Sequence, residues 1–122
     1  MTGVSDGNGA AAIHEYLAGH RAQMLALLEA LVRAESPTDV PTAQTDVQSI
    51  LRRILRSLGY AVQRVGGAEG SAGHLYARPP QRDRGRPVQL LVGHCDTVWP
   101  RGTLQEMPFE VEEEIVRGPG VF

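Results

Sequence analysis

The feature that most constrains this chain is a change of hydrophobic rhythm at Gly59. Upstream of it, apolar residues recur every three or four positions; downstream they fall into short runs with a period of two. The first spacing lines one face of a helix, and the second lines one face of a strand. The sequence therefore predicts an α/β fold in which two helices are followed by a mixed β-sheet.

Ile13, Tyr16, Leu17, His20, Met24, Leu27, Leu28 and Leu31 share one helical face. Ser36-Pro37 stops this first helix, because a proline disfavours helical conformation in the residue before it. The second helix follows Pro41-Thr42, with Val47, Ile50, Leu51, Ile54, Leu55 and Leu58 as its buried stripe and Gly59 as a left-handed cap. Beyond it, Tyr60–Val65 and His74–Arg78 are expected strands around a glycine-rich turn. Phe109–Val111 and Ile115–Arg117 are the last candidates. Val88-Gln-Leu-Leu-Val-Gly93 is the most apolar short run, so it is expected to be a central strand buried on both faces. Residues 1–10 lack periodicity and are expected to be a disordered lead-in, leaving 11–122 as one domain.

At 122 residues the chain can bury one core but not two. Its net charge of −2 is spread along the sequence and points to neither nucleic acid nor an anionic membrane as partner. Cys95 is the single cysteine, so no internal disulfide is available. The N-terminus has no signal-peptide pattern, and no apolar run has the length of a membrane span. A soluble cytoplasmic protein is the expectation.

The stretch that carries chemistry is Gly93-His94-Cys95-Asp96-Thr97-Val98-Trp99-Pro100. It follows the apolar run directly, at the carboxyl end of a strand, where α/β sheets hold their ligands. Alternate side chains of an extended segment point the same way, so His94 and Asp96 share a side and Cys95 points away. An imidazole with a carboxylate at hand is a suitable metal ligand with an orienting partner. Taken alone the pair is a weak signal that more often marks a structural surface or loop-capping role, and one histidine does not hold a catalytic zinc, which generally takes three protein ligands.

The surroundings resemble the M20 family of zinc metallopeptidases, which includes glutamate carboxypeptidases and aminoacylase-like amidohydrolases. Four blocks carry the resemblance in order: Leu31-Val32 with Ser36-Pro37-Thr38; Leu90 through Val98; Pro100-x-Gly102-Thr103 with Pro108-Phe109; and Gly118-Pro119-Gly120-Val121. The resemblance implies the N-terminal part of a zinc-peptidase catalytic domain. It implies hydrolysis of a peptide or amide bond in a small peptide or N-acyl amino acid. Two Zn2+ ions per active site are implied, with Co2+ as a possible substitute, and a homodimer for the full-length protein. His94 corresponds to a zinc ligand, and Asp96 to the catalytic-site carboxylate beside it. The aspartate that bridges the metals is expected one position beyond Phe122. The general base, the other ligands and the dimerising lid domain are expected further on, so the 122 residues alone are expected to be inactive.

Two positions depart from the pattern: Glu112-Glu113-Glu114 replaces a glycine-containing turn, and Arg117 stands where an aromatic is frequent. Three adjacent like charges should weaken that turn. Elsewhere the plainer readings are preferred. Cys95 is a packing residue, His20 lies on the apolar stripe, His14 is exposed, and His74 opens a strand. Trp99 is a hydrophobic cover, and Arg82, Arg84 and Arg86 form a solvated turn without a phosphate nest. The rival to the hydrolase is a non-catalytic remnant or an α/β binding or interaction module.

Overall fold

The computed structural model describes residues 7–121. It has the expected α/β class, with helices first and strands after them. The first helical stretch is two helices, α1 (Gly7–Gly19) and α2 (Arg21–Arg33), meeting at His20. Hydrogen bonding runs on across the joint, from Met24 N–H to the His20 carbonyl at 3.0 Å. His20 itself leaves helical geometry, at φ −107° and ψ 10°. Gly19 makes this the weakest point of the segment. The His20 ring stacks on Tyr16, with centroids 4.0 Å apart, and its Nδ1 lies 2.7 Å from the Tyr16 carbonyl. Gly7 to Ala10, expected as lead-in, belong to α1; residues 1–6 lie outside the described residues.

A 3-10 turn (Pro41–Ala43) leads into α3 (Gln44–Ser57), and Gly59 takes the expected left-handed conformation at φ 88°. Two antiparallel hairpins follow. β1 (Ala61–Val65) pairs with β2 (His74–Arg78), in a register that sets Ala61 opposite Arg78 and Val65 opposite His74. β3 (Glu110–Glu112) pairs with β4 (Ile115–Arg117) across a two-residue turn. That turn forms despite its three glutamates. Glu113 adopts a positive φ of 51°, Glu112 is paired with Arg117, and Arg21 donates to the Glu113 carbonyl at 2.9 Å. Two arginines thus offset the local negative charge.

The expected mixed sheet is not formed among the described residues: there are two separate two-stranded ladders. The expected central strand at 88–93 has no regular secondary structure and no ladder partners, and Leu90, Leu91 and Val92 are 75%, 92% and 86% exposed. A strand buried on both faces needs a neighbour along each edge, and each hairpin here satisfies only itself. The apolar face of α1 is likewise open, with Ile13 and Tyr16 both exposed.

The core sits where the end of α2, the start of α3 and β1 meet. Val32, Ala43, Val47 and Val62 are buried there, together with Pro37 and Ser36. Gln48 ties α3 to the turn just before β2 through a 3.2 Å bond to the Gly73 carbonyl. The accessible surface is 9952 Å². A compact monomer of this mass exposes about 6,400 Å². Much apolar surface therefore stays in water, and 88–92 is its densest patch. The chain is expected to bind a hydrophobic dye, and Leu91→Lys with Val92→Lys should remove a large part of the dye signal. An unchanged signal in that double variant would place the open apolar surface elsewhere. No helix among the described residues is long and apolar enough to cross a membrane.

Candidate functional site

The loop that carries His94 is held by a segment nearly sixty residues earlier in the chain. Ser36, Pro37 and Thr38 lie alongside the His94 loop in a short parallel pairing centred on Pro37 and Thr97. Thr97 N–H donates to the Ser36 carbonyl, and Thr38 N–H donates to the Thr97 carbonyl, both at 2.8 Å. This pattern passes over residue 37, so a proline without an N–H fits there at no loss. The Ser36 hydroxyl donates to the Cys95 carbonyl at 2.6 Å, and Ser36 is 2% exposed. The sequence marks Ser36-Pro37 as a helix stop; its second task, gripping the histidine loop, has no local signature.

Glu35 adds another tie. Its backbone is left-handed at φ 41°, which turns the chain sharply off α2. Its Oε1 accepts from the Gly102 N–H at 2.8 Å and the Leu104 N–H at 3.4 Å. These donors open the 3-10 turn Thr103–Gln105, so the carboxylate serves as a cap from a distant part of the chain. Between the two segments lies a cavity of about 20 Å³, lined by Val32, Glu35, Ser36, Thr97, Trp99 and Pro119 among others. That is room for one water and not for a substrate. Trp99 thus covers the junction, as its hydrophobic character suggests.

The far end of the described chain returns to the same place. Gly118 and Pro119 are buried, and Gly120, at φ 76°, lies against Thr97. The first and last of the motif blocks found in the sequence therefore converge on the His94 loop.

His94 and Asp96 lie on one side, as the alternation of an extended chain requires. His94 Nδ1 is 3.0 Å from the Asp96 carbonyl and 3.2 Å from Asp96 Oδ1. The His94 side chain is 84% exposed and that of Asp96 31%. Asp96 Oδ2 accepts a 2.8 Å hydrogen bond from the Thr38 hydroxyl. That bond is the main reason the Asp96 carboxyl titrates below its usual range; partial burial opposes it, and the Asp96 backbone and His94 assist it. Asp96 is therefore a carboxylate throughout the neutral range.

Cys95 points elsewhere and is half-buried. Burial pushes its thiol pKa up, the Asp96 charge pushes it further, and its own backbone hydrogen bond opposes both. A thiolate is the nucleophilic form, so this environment suits packing better than nucleophilic chemistry. His14 and His74 are exposed and remote from this loop in the contacts they make; His20 is half-buried against Tyr16. Arg82, Arg84 and Arg86 are exposed, with Arg86 paired to Asp83 at 3.4 Å.

The donor chemistry at His94 fits one ligand of a zinc ion. Its Nδ1 is occupied by a carboxylate and a carbonyl, the arrangement that directs Nε2 toward a metal. The described residues contain no group of three or more His, Cys, Asp or Glu able to hold a metal ion. What they provide is one oriented imidazole.

No protein-family model matches the chain. Carboxypeptidase G2 from Pseudomonas sp. (strain RS-16) is 33% identical to it over 94 residues, which is 77% of this chain. The chain spans 22% of the length of that relative. A partial similarity to a carboxypeptidase is what the comparison provides.

Proposed function

We propose that the full-length protein is a zinc-dependent hydrolase of peptide or amide bonds, of the M20 metallopeptidase type. One observation carries the reading: His94, on the loop after the apolar run, has its Nδ1 engaged by Asp96 and its Nε2 turned to solvent. The partial similarity to a carboxypeptidase supports the same reaction class.

On this reading His94 supplies one neutral imidazole ligand through Nε2, and Asp96 holds the Nδ1 proton and fixes the ring plane. Bound zinc ions, two per site, supply Lewis-acid polarisation of the scissile carbonyl and a low-pKa water. The Ser36–Thr38 segment keeps the loop from drifting, and the Gly118–Gly120 segment packs against Thr97 from the other side. Other ligands and the general base belong to residues outside this sequence. The proposed substrate is a small peptide or N-acyl amino acid, and the proposed assembly is a homodimer.

A second reading has its own support. The described residues bring one imidazole and no trio of ligands, while 88–92 offers an open apolar surface. Taken alone, the 122 residues then act as a non-catalytic remnant or an interaction module. The deciding experiment uses the full-length coding sequence. Hydrolysis of N-acyl amino acids or dipeptides should disappear on chelation and return with Zn2+ or Co2+, while the 122-residue chain stays inactive. Activity that survives exhaustive chelation would sink the zinc reading.

A further inference from the structure

The geometry points to Thr38 as the positioning residue of the His94–Asp96 pair. Its hydroxyl holds one carboxylate oxygen of Asp96 so that the other, with the Asp96 carbonyl, receives the Nδ1 proton of His94. The significance of the exposed Nε2 rests on the proposed zinc hydrolase; the coupling of Thr38 to the histidine tautomer does not.

A carboxylate on a part-exposed loop rotates readily about its last torsion, which has a broad two-fold profile. Nothing in Asp96 itself fixes the plane in which its carboxylate meets His94. Thr38 decides it, because its own position is fixed by the backbone bond from its N–H to the Thr97 carbonyl at 2.8 Å. Its hydroxyl has one proton and two acceptors in reach, Asp96 Oδ2 at 2.8 Å and the Thr97 carbonyl at 3.0 Å. The carbonyl already receives the Thr38 N–H, and a charged acceptor makes the stronger bond. The proton therefore goes to Asp96.

With Oδ2 taken, Oδ1 stays 3.2 Å from His94 Nδ1, and the Asp96 carbonyl stands 3.0 Å from the same nitrogen. Two acceptors converge on Nδ1, and acceptors favour a protonated nitrogen. The neutral ring is thereby held in the Nδ1–H tautomer with the Nε2 lone pair outward. Thr38 never touches a metal or a substrate in this arrangement. It acts through Asp96, from a segment 58 residues away.

The test reads the tautomer directly in the 122-residue chain. Long-range proton–nitrogen NMR of histidine-labelled, chelator-treated protein is recorded at a pH well above the ordinary imidazole value of about 6.5. In the parent, His94 should show a protonated Nδ1 and an unprotonated Nε2. Thr38→Val removes the hydroxyl and keeps the shape; it should move the proton to Nε2 in the majority of molecules. Thr38→Ser restores the hydroxyl and should return the parent pattern, which a purely structural role of the methyl group would not do. Thr38 is exposed and outside the core, so these variants should fold. Thr38→Ala removes the same hydroxyl with less bulk and is read in the same way. An Nε2–H tautomer in the parent overturns the proposal, as does an unchanged Nδ1–H tautomer in the folded valine or alanine variant. The zinc reading fails separately: a His94→Ala full-length protein that keeps its turnover would sink it and leave the tautomer result standing.

Discussion

On the proposed zinc-hydrolase reading, His94→Ala should remove zinc binding and hydrolysis together from the full-length protein. The argument is one of ligand count. A catalytic zinc site is commonly held by three protein ligands with a fourth position open for water or substrate. Removing one ligand leaves two, with a second vacancy that water fills. Loss of an outer partner of a metal-bound histidine typically lowers metal affinity or activity about 10- to 100-fold. Asp96→Asn should fall in that range, because the amide keeps the volume of the carboxylate and loses its charge. His94→Ala should exceed it. Zinc content after dialysis and turnover of an N-acyl amino acid are the two measurements. A graded series, with alanine at 94 worse than asparagine at 96, fits a ligand and its orienting partner. If both variants keep zinc and turnover at the parent level, His94 and Asp96 form only a loop-capping pair, and the interaction-module reading gains.

The second large effect is expected at Gly120. A side chain there meets two obstacles. The backbone is at φ 76°, a conformation that disfavours an L-residue by about 1–2 kcal/mol. A Cβ would also fall 2.8 Å from Thr97 Cγ2. Thr97 cannot retreat freely, since its N–H and carbonyl are both bonded to the Ser36–Thr38 segment. Overpacking of this kind costs about 1–3 kcal/mol. Gly120→Ala should thus destabilise the chain by about 2–5 kcal/mol in urea unfolding. Thr97→Ser removes the obstructing methyl, so the double variant should recover the steric part and leave the backbone part. A double-mutant cycle measures this coupling. Additive losses would mean that the two residues do not press on one another.

Local features of the fold were legible, and their reasons are local. The α3 helix, the left-handed Gly59 and the β1–β2 hairpin each follow from residues within one turn or one hairpin. The expected buried stripe of α3 is only partly realised: Val47 is buried, Ile50, Leu51, Ile54 and Leu55 are half-buried, and Leu58 is exposed. The sharing of a side by His94 and Asp96 follows from alternation along an extended chain, and the structure places them within hydrogen-bond reach. What was not legible depends on remote partners. Val88 to Gly93 carries the hydrophobicity of a buried strand, but hydrophobicity expresses a demand for neighbours and does not supply them; among the described residues none pairs with it. The division of the first helix at His20 reflects a stacked ring and a weak glycine, both hidden inside an otherwise continuous helical period. Thr38 was visible only as part of a turn motif. Its bond to Asp96 joins positions that no short-range pattern connects.

The grip of Ser36–Thr38 on the histidine loop also bears on how the molecule assembles. Closing a flexible loop of 59 residues, the separation between Ser36 and Cys95, lowers chain entropy by about 3–4 kcal/mol beyond a constant term. Prior formation of α3 and the β1–β2 hairpin shortens the effective loop and reduces that barrier. Loop-closure entropy thus favours an order in which helix and hairpin form first and the 36–38 and 95–97 pair closes afterwards. On that order the residues that orient His94 are put in place late as the chain folds, and imidazole geometry is a product of folding rather than a property of the loop itself.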